Sequence, residues 1–105
     1  MTKMFRSQVV LAVVISTAAA MSFAQSSGEA TYKSKCQSCH GASGTPNPGI
    51  AKLMGVKPVS DPAIKALTVA QVAATVKSGK GKMKPIAGLT DAQVNEVAAY
   101  FKTLK

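Results

Sequence analysis

This 105-residue chain has no tryptophan, one histidine, two cysteines and only four acidic residues. Two cysteines allow at most one internal bridge, which excludes a disulfide framework. No alternating apolar run or hairpin turn pair is present, so a β-sheet fold has no support in the pattern. No internal repeat is present, so a solenoid is excluded as well. A single long apolar run occurs, and it lies at the N-terminus.

That run reads as a secretory leader. Lys3 and Arg6 form a basic start, Val9 to Ala20 an apolar stretch, and Ser22-Phe23-Ala24 a small-residue cleavage site. The expectation is a cleaved signal peptide over residues 1–24 and one domain over residues 25–105. The apolar run is short for a membrane span and is interrupted by Ser16 and Thr17. No lipidated cysteine or Arg-Arg pair is present, so no stable membrane anchor is expected after cleavage. Export by the general secretory route to a periplasm is the expected address.

The remaining domain carries eleven lysines, no arginine, and four acids: Glu29, Asp61, Asp91 and Glu96. Without arginine or a set of stacking aromatics, nucleic acid is not the expected partner. The excess charge suits solubility, or steering toward an acidic protein surface. So short a domain has little core of its own and needs a staple.

Cys36-Gln37-Ser38-Cys39-His40 identifies the staple. Cys-x-x-Cys-His is the pattern of c-type haem attachment. Two thiols one helical turn apart can add to the two porphyrin vinyl groups from one side, and the adjacent imidazole lies beneath the iron. A thioredoxin-like dithiol would sit near a βαβ pattern, which is absent. A structural zinc site needs four ligands, and these three residues are the only cysteines and histidine in the chain. A local disulfide would leave His40 unexplained. The expected cofactor is one covalently bound haem c, held by Cys36 and Cys39 with His40 on the iron.

Helix signals run through the rest of the chain. Ser27 with Glu29 suggests a first N-terminus. Gly41 to Gly49 is rich in breakers and reads as a loop, with one short turn over Ala51 to Gly55. Asp61-Pro62 opens a short helix toward Ala66 or Leu67. Thr68 with Gln71, and Thr90 with Gln93, are capping boxes. Val69, Val72, Ala73 and Val76 then follow helical spacing up to Gly79, and Val94, Val97, Ala98, Phe101 and Leu104 form a second stripe. Lys80 to Gly88 reads as a flexible basic loop. An all-α domain of three or four short helices is expected.

With one histidine, the second axial position on the iron falls to a methionine or stays vacant. Met54 lies among apolar neighbours, where methionine serves as core filler. Met83 lies in Gly79-Lys80-Gly81-Lys82-Met83-Lys84-Pro85, with few apolar neighbours and little reason to be core. Met83 is therefore the expected distal ligand, with Met54 the alternative.

The attachment motif, Met83 and the closing Leu89-Thr90-Asp91…Val97-Ala98-Ala99-Tyr100-Phe101…Leu104 together resemble a small class I c-type cytochrome. The resemblance covers nearly all of the domain. It implies a cytochrome c fold in which the first and last helices cross, with Gly28, Tyr32 and Tyr100 at the crossing. It also implies a proline after the motif whose carbonyl accepts a hydrogen bond from the proximal histidine's Nδ1–H, a position that Pro46 and Pro48 both fit. The family's proline usually follows the methionine directly; here Lys84 intervenes.

The expected function is electron transfer rather than catalysis. Iron bound by His40 and Met83 has no open site, and an apolar shell of Val72, Val76, Leu89, Val94 and Val97 limits water near it. Lys80, Lys82 and Lys84 would favour transient docking of a monomer to acidic-surfaced reductases or oxidases. The competing readings are a haem sensor with a labile methionine and a haem subunit of a larger redox enzyme.

Overall fold

The structure, a computed structural model, describes residues 27–105; the expected leader lies outside the described residues. Six helical segments follow one another: α1 (residues 27–35), α2 (Gln37–His40), α3 (Pro48–Met54), α4 (Pro62–Lys65), α5 (Val69–Ser78) and α6 (Asp91–Phe101). Their number exceeds the expected three or four because α2 and α4 are single turns of four residues. The all-α expectation holds. The pairing of Lys80 with Met83 is an isolated bridge rather than a strand.

Cap chemistry places most boundaries. Thr68 accepts from the Gln71 amide while the Gln71 side chain accepts from the Thr68 amide, and Thr90 and Gln93 repeat the arrangement. Each box satisfies two amides that a helix start otherwise leaves unpaired. Asp61 caps α4 by accepting from Ala63, with Pro62 at the first helical position. Gly79 ends α5 at a φ of 74°, a left-handed value that side chains with a Cβ avoid.

Three local expectations are corrected. Ser27 is already helical, so it is not the N-cap of α1. Pro48 and Gly49 belong to a seven-residue helix rather than to a loop. Asn47 accepts from the Gly49 amide and Pro48 occupies the first position, so these apparent breakers start a helix. The Lys80 to Gly88 loop is pinned: the Ile86 amide donates to the Val76 carbonyl at 2.9 Å, and Lys80 and Met83 exchange two backbone bonds.

The core forms where α5 meets α6. Val72, Ala73 and Val76 from one helix and Val94 and Ala98 from the other make a buried cluster. Leu67, Met83, Ile86, Leu89 and Phe101 pack around it, each half-buried. Helix α1 crosses α6 at Gly28, where an added methyl group would meet the Glu96 carbonyl and, at 2.8 Å, the Tyr100 Cβ. Glycine is what permits this approach. Tyr32, 1% exposed, packs one turn later against the Tyr100 ring, with centroids 5.4 Å apart.

Candidate haem site

The Cys36–His40 turn grows directly out of α1. The Cys36 amide donates to the Tyr32 carbonyl at 2.9 Å, and the Cys39 and His40 amides donate to the Cys36 carbonyl at 3.2 and 3.0 Å. Cys36, Cys39 and His40 therefore share one helical turn, as their spacing requires. Both thiols are free and partly exposed.

Electrostatics separate this turn from a redox dithiol. Burial, and secondarily Cys39, push the Cys36 thiol above its ordinary range. A dithiol reagent of the thioredoxin kind needs the opposite shift. Burial also lowers the pKa of His40, which favours the neutral imidazole that binds a metal. Among the described residues, no group of three or more His, Cys, Asp or Glu side chains is gathered for a metal ion, so a zinc centre has no donor set.

The ring of His40 is held from α6. Phe101 meets it edge-on, with centroids 5.8 Å apart and planes at 75°. Behind it, the Tyr32 hydroxyl donates to the Gly41 carbonyl at 2.6 Å, fastening the residue that follows His40. Gly41 has a φ of 81° and lies so close to the Thr45 carbonyl that a Cβ there would collide with it. The chain thus folds back sharply behind the histidine. Pro46 is buried next to this bend, whereas Pro48 is exposed at the start of α3.

The structure also separates the two methionines. Met83 packs against the α5–α6 cluster, contrary to the expectation that a methionine in a lysine-rich loop would not join the core. The reason is the pinned loop, which returns the chain to α5 at Ile86. Phe101 packs on the same cluster and touches His40, so His40 and Met83 approach one apolar core from different elements. Met54 is half-buried at the end of α3 and is not among the side chains packed on that cluster.

Neither the Phe101 contact nor the Tyr32 bond was read from the sequence. Tyr32 stands four residues before Cys36, one turn back, which is the one local hint available.

These residues fit a haem. Two thiols and a neutral imidazole lie on one turn, and a thioether stands among half-buried apolar groups. Among the described residues, Leu53 and Val69, 66% and 39% exposed, are the large apolar side chains most open to solvent.

An all-α domain with this attachment turn defines a c-type cytochrome. Residues 23–101 match the family described as cytochrome c oxidase, cbb3-type, subunit III, and the chain belongs to that family. No curated protein and no solved structure matches the chain. Membership makes the domain a haem-based electron-transfer module.

Proposed function

We propose that the chain is a monohaem electron carrier of the periplasm. Cys36 and Cys39 would form its thioether links, and His40 and Met83 would supply the ligands to the iron. The supporting observation is the convergence of the His40 turn and the Met83 loop on one apolar cluster. When bound, haem c supplies a one-electron ferric/ferrous couple.

The chain's own groups do the rest. His40 offers a neutral nitrogen, with its ring orientation constrained by Phe101 and its backbone by the Tyr32 bond to Gly41. The buried Pro46, next to the Gly41 bend, is the better placed of the two prolines for its carbonyl to accept a hydrogen bond from the His40 ring. A Met83 thioether on the iron would favour its reduced form. Val72, Val76 and Val94 would keep water from it and raise the potential further. Exposed Lys80, Lys82 and Lys84 present positive charge for brief contacts with an acidic redox partner.

Optical spectra of Met83→Ala and Met54→Ala in both oxidation states test the ligand assignment. Loss of the methionine-bound, low-spin signature is expected only for Met83→Ala. Its retention there would overturn the assignment.

The family description supports a second reading, a haem subunit of an oxidase. Among the described residues no helix is long and apolar enough to cross a membrane. Such a subunit would therefore be held by protein contacts or by a segment outside residues 27–105. Gel filtration of the native extract distinguishes the two: a free carrier elutes near its own mass, and a subunit with its complex.

A further inference from the structure

The Met83 loop is anchored to α5 by backbone bonds at Ile86 and is closed on itself by the Lys80–Met83 pair. A side-chain hydrogen bond also reaches from the loop to a distant element. The Lys82 ammonium donates to the Leu53 carbonyl at 2.8 Å, spanning 29 residues of sequence. Leu53 lies in the last turn of α3, which ends at Met54 with Gly55 in the left-handed region. The last carbonyls of a helix have no partner within it, and a lysine there complements their partial negative charge. The contact thus ties the segment that follows the attachment turn to the loop that carries Met83. Lys80 and Lys84 carry the same charge on the same loop.

We propose that Lys82 is a positioning residue that clasps the Met83 loop to the C-terminus of α3 and limits how readily Met83 leaves the iron. The inference rests on Met83 being the distal ligand. Release requires the loop to swing away, and the backbone bonds at Ile86 allow its tip to move while its base stays on α5. Freeing the tip breaks the Lys82–Leu53 bond first. An added small base then replaces the thioether: the iron–sulfur bond breaks, an iron–nitrogen bond forms, and no electron is transferred.

The test is the rate of imidazole binding to the ferric holoprotein, followed by stopped-flow absorbance. Lys82→Gln removes the charge and shortens the reach. It should bind imidazole roughly fivefold faster than the unaltered protein, in line with loss of one charge-assisted bond at the surface. Lys82→Arg keeps a cationic donor and should restore most of the slow rate. Lys80→Gln and Lys84→Gln, which lose equal charge, should bind at the original rate. An unchanged rate in Lys82→Gln, or equal acceleration in all three glutamine variants, would overturn the clasp. Met83→Ala, run in parallel, separates the premise: a spectrum still methionine-bound there would remove the ligand assignment itself.

Discussion

Tyr32 serves both halves of the molecule. Its ring fills the α1–α6 crossing, and its hydroxyl holds the Gly41 carbonyl just past His40. Tyr32→Phe keeps the ring and removes only the bond. It should lower stability by about 1 kcal/mol in denaturant unfolding, the usual worth of one internal hydrogen bond. Burial, the largest cause, pushes the phenol's pKa up from its ordinary 10.0 to about 12. The folded state therefore holds this proton more tightly than the unfolded state does. The resulting stability is fully present below about pH 10 and is lost as pH rises toward about 12. Unfolding midpoints measured across that window should fall in the unaltered protein and fall less in Tyr32→Phe.

At the scale of elements, the capping boxes of α5 and α6 were legible because they are local. Each needs two side chains three residues apart, and the sequence displays both. The start of α3 was hidden because proline followed by glycine usually marks a turn, and only Asn47 as a cap converts it into a helix start. The crossing of α1 with α6 was legible only through the family resemblance at Gly28, Tyr32 and Tyr100. Composition says nothing of which helix meets which. Gly28→Ala should disrupt that crossing, because its methyl group meets backbone on α6 that cannot yield. A loss of about 1–3 kcal/mol is expected, as for other overpacked sites. Thr90→Ala, which removes a cap but leaves the crossing intact, should cost about 1 kcal/mol. Thermal unfolding of the two holoprotein variants measures the difference.

At the scale of the whole domain, the buried apolar side chains among the described residues are five valines, two alanines and Tyr32. These are small groups, and many of the larger ones around them remain half-covered. So slight a core suits a fold completed by its cofactor. A Cys36→Ala, Cys39→Ala double variant, which cannot bind haem covalently, should show no cooperative thermal transition by circular dichroism. A sharp, native-like transition would show that the polypeptide folds unaided.

The sequence by itself determined the Cys36–His40 turn, its single imidazole, the two capping boxes and the all-α class. All of these are written within three or four neighbouring residues, where helix geometry links spacing to position. The tertiary structure decided which methionine meets the core, which aromatic holds His40, and where the Met83 loop is fastened. Those answers depend on contacts such as Phe101 with His40 and Lys82 with Leu53, which join residues far apart in the chain. No local spacing encodes such pairs, because they form only after α5 and α6 close their apolar faces and bring the loops between helices into reach.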